Sequence, residues 1–103
     1  MHCFYQIQKN ISLTYETNVI GTVNLLENMN PEMVYIHAGS SSEYGFNCTT
    51  PKETDVLEPN SHYSVSKVSA SFLIQFYARV HEKNAINLRL YSIYGDWEEP
   101  DRL

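Results

Sequence analysis

Two side chains, Tyr63 and Lys67, lie four residues apart in this sequence. Residues four apart share one face of an α-helix, so the lysine ammonium comes close to the tyrosine hydroxyl. An ordinary tyrosine titrates near about pH 10 and is a poor base at neutral pH, but a neighbouring cation stabilises its phenolate. One partly solvated lysine supplies only part of that stabilisation, and a second cation would help. The pair indicates a tyrosine acid–base, although such pairs also occur on helices by chance.

Three serines, Ser40, Ser41 and Ser42, follow a short apolar stretch. A hydroxyl placed just beyond a buried strand can donate a hydrogen bond to a substrate oxygen. The alternative is a polar turn that closes the strand. These hydroxyls are therefore candidates for substrate binding beside the tyrosine.

Other catalytic patterns fit less well. Ser64 and Lys67 match the Ser-x-x-Lys nucleophile motif, but its companion motifs Ser-Asp-Asn and Lys-Thr-Gly are absent. A Gly-x-Ser-x-Gly elbow would begin at Gly39 and fails at Glu43. The four histidines have no metal-binding spacing, and we expect His37, in an apolar stretch, to be a satisfied core residue.

The pattern of apolar residues predicts the elements that position these side chains. A first helix is expected at 11–29, capped by Ser12 or Thr14, and a second at 61–83, capped by Ser61. Two apolar stripes predict that the second helix is buried on more than one side. They are Val65, Val68, Phe72, Phe76 and Val80, and Tyr63, Lys67, Ala70, Ile74 and Tyr77.

Two stretches, 33–38 and 86–91, predict strands, and 45–61 predicts a long irregular loop. The first strand lacks alternation, which is typical of a strand buried on both faces of a parallel sheet. A strand–helix–strand order favours a parallel pair, and ligands bind beyond the carboxyl ends of such strands. We therefore expect 39–42, 92–95 and the start of the second helix to meet. Two strands are few for an independent domain.

Composition excludes several classes of function. The formal net charge of the 103 residues is −5, and the chain has no basic cluster of the kind that binds nucleic acid. No run of 18 apolar residues predicts a membrane span, and the first residues lack the pattern of a signal peptide. We therefore expect a cytoplasmic protein, with Cys3 and Cys48 as reduced thiols.

Four segments together resemble the NAD-dependent nucleotide-sugar epimerases and dehydratases of the extended short-chain dehydrogenase/reductase superfamily. They are 18–27, 37–45, 63–67 and 88–95, in the order and with the spacing of that family. The resemblance implies an α/β fold with part of a Rossmann-like parallel sheet. The family's glycine-rich βαβ unit and its C-terminal substrate lobe have no counterpart, so residues 1–103 are expected to form a single partial domain.

The resemblance also implies roles for individual residues. Tyr63 would take a proton from a sugar hydroxyl while hydride passes to NAD, and Lys67 would stabilise its phenolate and hold the nicotinamide ribose. Ser40, four residues before Tyr44, would hydrogen-bond the reacting oxygen. Asn18 would contact the cofactor or the substrate. The two helices would form a homodimer interface, and NADP is an alternative to NAD.

Two departures bear on the reaction. Dehydratases of this group carry Asp-Glu after the catalytic hydroxyl residue, where this sequence has Ser41 and Ser42, with Glu43 one position late. Ser92 stands where many members have Asn. We therefore expect a nucleotide-sugar epimerase. The alternatives are a dehydratase, decarboxylase or reductase of the same family, or an inactive segment that serves only as a helix-pair interaction module.

Overall fold

A computed structural model describes residues 10–93 and 95–96 of the chain. Its elements follow the predicted order of helix, strand, helix and strand. Within the described ranges, no helix is long and apolar enough to cross a membrane.

The first helix consists of α1 (Ile11–Tyr15), a π-helical segment (Glu16–Ile20) and α2 (Gly21–Glu27). The predicted cap was wrong: Asn10 caps the helix, and its side chain accepts a hydrogen bond from the Leu13 amide. Asparagine is a strong cap because its short side chain reaches the free amides of the first turn. The sequence pattern did not reveal the π-helical segment.

The second half of the chain forms a parallel strand–helix–strand unit, as predicted. Strand β1 (Val34–Ser40) pairs with β2 (Asn84–Leu90), and the long helix α3 (His62–Val80) connects them. The register runs from Val34 opposite Asn84 to Ser40 opposite Leu90, so both strands end at the same edge of the sheet. This unit confirms the α/β class and the parallel pairing.

Only one face of this two-stranded sheet is covered, which contradicts the expected burial of β1 on both faces. Burial alternates along both strands. Helix α3 packs on the face that carries Tyr35, His37 and Gly39, whereas Val34 and Ile36 are 68% and 61% exposed. The residues on the open face are apolar, as in a buried strand, but no described element lies over them.

Helix α3 packs against both the sheet and the first helix, which confirms that it is buried on more than one side, but one of its two apolar stripes is largely exposed. Ile74 and Tyr77, from the stripe that begins at Tyr63, form the core with Leu26 of α2. In the other stripe, Phe72 and Phe76 are 58% and 48% exposed. No described element lies over this second stripe.

A 3-10 turn (Ser41–Tyr44) follows β1 and leads into the long loop. Gly45 ends the turn with φ of 57°, and a side chain there would strike the backbone of Glu58. The loop is irregular, as predicted, apart from a parallel bridge between Gly45 and Glu58. This glycine lets the loop fold back beside the turn that carries the serines.

Cys48, in the loop, is disulfide-bonded. The expectation of a reduced thiol was therefore wrong for this residue, whereas Cys3 lies outside the described residues. Distance along the chain does not decide such a bond, which depends on the spatial approach of two cysteines. A cytoplasmic location remains a prediction, and this disulfide weighs against it because disulfides are rare in reducing compartments.

Candidate active site

A cleft of about 360 Å³ lies at the carboxyl ends of the two strands. It is lined by residues from the end of β1, the start of α3 and the segment after β2: Gly39, Ser40, Tyr63, Leu90, Tyr91, Ser92 and Ile93. Parallel strands bring their carboxyl ends to one edge, which is why residues far apart in sequence meet here. Three of the predicted segments thus contribute to one site, while Tyr94 lies outside the described residues.

Tyr63 stands in the first turn of α3, and capping fixes where that helix begins. The Ser61 side chain accepts a hydrogen bond from the Ser64 amide, and the Ser64 hydroxyl accepts one from the Ser61 amide in return. This reciprocal cap is a strong start signal for a helix. Tyr63 is half-buried, and its hydroxyl has no hydrogen-bond partner among residues 10–93 and 95–96. It is free to bind a ligand in the cleft.

Lys67 lies one turn further along α3, and its Nζ donates a 2.8 Å hydrogen bond to the carbonyl oxygen of Ala38. This contact holds the ammonium beside the end of β1, although Lys67 is not among the cleft-lining residues. Burial lowers the pKa of Lys67, and the Glu43 carboxylate opposes that shift. The Ala38 contact uses one of the three N–H donors of the ammonium, so two remain for other acceptors.

Ser40 lies at the junction of β1 and the 3-10 turn. Its Oγ accepts a hydrogen bond of 3.1 Å from the Ser42 amide, and its own amide donates one of 2.8 Å to Glu43. Because its oxygen accepts, its hydroxyl proton remains to be donated. Ser40 and Tyr63 line the same cleft, whereas Ser41 and Ser42 do not.

Asn18 lies in the π-helical segment, away from the residues that line the cleft. Its Nδ2 donates to Ser66 Oγ at 2.9 Å, and Ser66 Oγ donates to the Tyr63 carbonyl oxygen at 2.6 Å. Asn18 therefore connects the first helix to the turn of α3 that carries Tyr63.

His37 differs from the fully satisfied core histidine that we expected. Its Nδ1 lies 2.7 Å from the Tyr35 hydroxyl, but its buried Nε2 has no partner among the described residues. Burial and the Lys67 ammonium lower the pKa of His37, against an opposing effect of Glu43. Burial first and the nearby ammonium second therefore disfavour the protonated form of this half-buried imidazole.

Sequence reasoning missed a buried ionic cluster under the cleft. Glu43 is fully buried, and its Oε1 lies 3.2 Å from Arg89 Nε of β2. Asn87 of β2 also donates to this carboxylate. The sequence held one sign of this cluster: Asn87 and Arg89 lie at alternate positions of β2, and alternation places both side chains on the same face of the sheet. Their acidic partner, 44 and 46 residues earlier, could not be identified from the pattern.

The described part of the chain contains no group of three or more histidine, cysteine, aspartate or glutamate side chains that could hold a metal ion. The polar side chains that line the cleft are hydroxyls, which suit hydrogen-bonding, and the Lys67 amine is anchored nearby on Ala38 without lining the cleft. Ser40 and Tyr63 line one cleft, so both hydroxyls can hydrogen-bond a ligand there.

Comparison with known proteins agrees with this geometry. Residues 6–103 match the model of the NAD dependent epimerase/dehydratase family. UDP-glucuronate 4-epimerase 4 of Arabidopsis thaliana is 34% identical over 98 residues, which are 90% of this chain and 22% of that protein. The chain thus spans about a fifth of the length of this curated relative.

Two crystal structures share the fold. The dTDP-glucose 4,6-dehydratase of Bacillus anthracis superposes with a TM-score of 0.79 at 31% identity, covering 94% of this chain and 32% of that one. The UDP-glucuronic acid 4-epimerase of Bacillus cereus gives 0.74 at 26% identity, covering 93% and 32%. Both are complexes with NAD. The sheet, the site at its edge and the family match lead to one assignment: this chain belongs to the NAD-dependent epimerase/dehydratase family.

Proposed function

We propose that this chain supplies the catalytic part of an NAD-dependent nucleotide-sugar epimerase, with Tyr63 as its acid–base. One observation carries the proposal: an unpartnered tyrosine hydroxyl and a serine lie in one cleft where two parallel strands end, with an ammonium anchored alongside. The curated relatives named UDP-glucuronate 4-epimerase support the reaction class.

In the proposed reaction, Tyr63 accepts the proton of a sugar hydroxyl as the carbon that bears it loses hydride and becomes a ketone carbon. Ser40 donates its hydroxyl hydrogen to the same oxygen and holds it in place. Bound NAD would supply the hydride acceptor for this oxidation and the hydride donor for its reversal. Tyr63 then gives its proton back to the oxygen, so the complete cycle consumes nothing. Return of hydride to the opposite face of the sugar inverts the configuration.

The polar groups of Tyr63 and Lys67 are suited to bind the nicotinamide ribose of NAD. Two free N–H donors of Lys67 and the unpartnered Tyr63 hydroxyl match ribose hydroxyls, which accept and donate hydrogen bonds. We propose that Asn18, with its Nδ2 occupied by Ser66, contacts the cofactor through its amide oxygen. The four glycines do not form a Gly-x-x-Gly-x-x-Gly turn, so the pyrophosphate would bind elsewhere in the complete enzyme.

We further propose that residues 1–103 form one partial domain that other sequence completes. The open sheet face with its exposed Val34 and Ile36 supports this, because a parallel sheet is normally covered on both faces.

Epimerisation is favoured over dehydration by the environment of Glu43. A dehydratase needs carboxyl groups that reach the carbon next to the ketone. Glu43 is fully buried and bound to Arg89, and the neighbouring positions hold Ser41 and Ser42. Dehydration remains the second candidate because a dehydratase is among the similar structures.

A homodimer through the two helices is the proposed assembly. The exposed apolar stripe of α3 supports it: four of its members, Val65, Phe72, Phe76 and Val80, are exposed on one long helix. Phe76→Glu should convert the dimer to monomers in analytical ultracentrifugation. Val56→Glu, which changes an exposed apolar residue of the loop, should leave the dimer intact. An unchanged dimer in the Phe76 variant would reject this interface.

Tyr63→Phe in the complete enzyme tests the catalytic proposal. The variant should lose about 10³-fold or more in kcat, because the acid–base is removed, while NAD affinity changes little. Tyr15→Phe is the matched control, since the Tyr15 hydroxyl bonds His62 and Tyr15 does not line the cleft. Full turnover in Tyr63→Phe would reject the role. Product analysis separates the two reactions: epimerisation gives only stereoisomers, whereas dehydration gives a product lighter by one water.

A further inference from the structure

Glu43 is a fully buried carboxylate that the proposed reaction does not use. It lies in the 3-10 turn three residues after Ser40 and does not line the cleft. A buried charge is costly unless several partners compensate for its lost hydration. Its hydrogen bond with the amide of Ser40, a residue of the candidate site, indicates a function beyond the stability of the fold.

The partners of Glu43 come from both strands of the sheet. Oε2 accepts a 2.8 Å hydrogen bond from the Ser40 amide at the end of β1. Oε1 accepts bonds of 3.2 Å from Asn87 Nδ2 and from Arg89 Nε of β2. Arg89 is itself fixed, because its guanidinium lies 5.0 Å from the Tyr44 ring centroid and donates to the Glu53 carbonyl oxygen. The carboxylate thus connects Ser40 to a rigid part of β2.

Ser40 is held from two directions as a result. Glu43 accepts from its amide, and the Ser42 amide donates to its Oγ. These contacts fix the backbone and the oxygen while leaving the hydroxyl proton free to point into the cleft. Loss of the Glu43 contact would leave Ser40 able to turn away from a bound substrate.

Glu43 also acts on Lys67 through its charge. Burial lowers the pKa of Lys67, and the Glu43 carboxylate raises it again. The other ionisable groups that act on this pair are His37 of β1, which is kept neutral, and Arg89 of β2. Glu43 is therefore the negative charge that favours the ammonium form of Lys67.

We propose that Glu43 is a positioning residue for the reaction, which orients the Ser40 hydroxyl through the Ser40 amide. It touches neither substrate nor cofactor, and it is not the acid of a dehydratase. This inference rests on the proposed function, in which Ser40 and Lys67 serve the Tyr63 chemistry.

Glu43→Gln in the complete enzyme tests the inference because it keeps the volume and one acceptor but removes the charge. The first measurement needs no turnover: the pH dependence of Lys67 acylation by acetic anhydride, followed by mass spectrometry. The midpoint should move to lower pH in Glu43→Gln and stay unchanged in Glu58→Gln, which alters an exposed glutamate. An unchanged midpoint in Glu43→Gln would overturn the effect on Lys67.

The second measurement is kcat/KM, which should fall about 10- to 100-fold in Glu43→Gln with NAD affinity retained, since Ser40 loses its fixed orientation. Wild-type kcat/KM would overturn the positioning of Ser40. If Glu43→Gln does not fold, Arg89→Lys provides the second variant. This change loosens the contact of the Glu43 carboxylate with β2 but keeps the negative charge of Glu43. The kcat/KM should therefore fall, while the pH midpoint of Lys67 acylation stays unchanged. Arg89→Lys with wild-type kcat/KM would contradict the proposal.

The result for Tyr63→Phe separates the two proposals. If Tyr63→Phe turns over normally, the proposed function fails, whatever Glu43 does. If Tyr63→Phe is inactive and Glu43→Gln behaves as wild type in both measurements, only the role of Glu43 fails.

Discussion

The Nζ atom of Lys67 lies 2.8 Å from the carbonyl oxygen of Ala38 and donates a hydrogen bond to it. The contact joins helix α3 to strand β1 two residues before Ser40, at the edge of the sheet where the candidate site lies. It fixes the ammonium near the end of the strand, which a flexible lysine side chain in solvent would not achieve.

Replacement of Lys67 by Met should lower kcat/KM by about 100-fold or more, because both the charge beside Tyr63 and the ribose donors are lost. Lys67→Arg should recover only part of the rate, since guanidinium keeps the charge but presents its donors in a different geometry. Steady-state kinetics of the complete enzyme measure this. Lys52→Met, which removes an exposed lysine of the loop, is the control and should change nothing. Equal rates for wild type and Lys67→Met would contradict the assignment.

Ser40→Ala should reduce kcat by roughly 100-fold, the loss typical of one donor to a reacting oxygen. It should also destabilise the turn by about 1 kcal/mol, because the Ser40 side chain caps it. Ser40→Thr keeps the hydroxyl and should retain most activity. Ser41→Ala, next to it but outside the cleft lining, serves as the control. If Ser40→Ala and Ser41→Ala have the same kcat, Ser40 does not bind the reacting oxygen.

Gly39→Ala should destabilise the protein by about 1–3 kcal/mol, as overpacking does in a filled interior. The added Cβ would meet the Asn87 amide oxygen and would lie 2.6 Å from Glu43 Oε2. Gly95→Ala is the matched control, since no atom of the described residues lies within 4 Å of a Cβ there. Urea unfolding of both variants measures the difference. Equal stability of the two variants would show that the side chains around Glu43 can move aside without a loss of stability.

The lowered pKa of His37 predicts how stability depends on pH. Between its folded pKa and the ordinary value of about 6.5, the unfolded chain binds a proton that the folded chain does not. Stability therefore rises with pH through this window and falls as the solution is acidified. His37→Asn, which retains a partner for Tyr35, should reduce this slope in urea unfolding below about pH 6.5.

His81→Asn, an exposed position, is the control for that experiment and should keep the wild-type slope. A slope that is the same in His37→Asn and wild type would show that His37 does not contribute to the acid sensitivity.

The sequence by itself determined the order of elements, the parallel pairing and the helix that carries Tyr63 and Lys67. These follow from local signals: the Ser61 cap, the apolar periodicity of α3 and the short apolar strands. Residues four apart on a helix need no tertiary information to be placed on one face.

Only the tertiary structure decided which polar groups meet. The partners of Glu43 lie more than 40 residues away, and a local pattern carries no information on such distances. The π-helical segment and the Asn10 cap depend on competing hydrogen bonds that periodicity cannot rank. Burial was overestimated for β1 and α3 because hydrophobic pattern reports what a surface can pack against, whereas exposure depends on which elements are present to cover it.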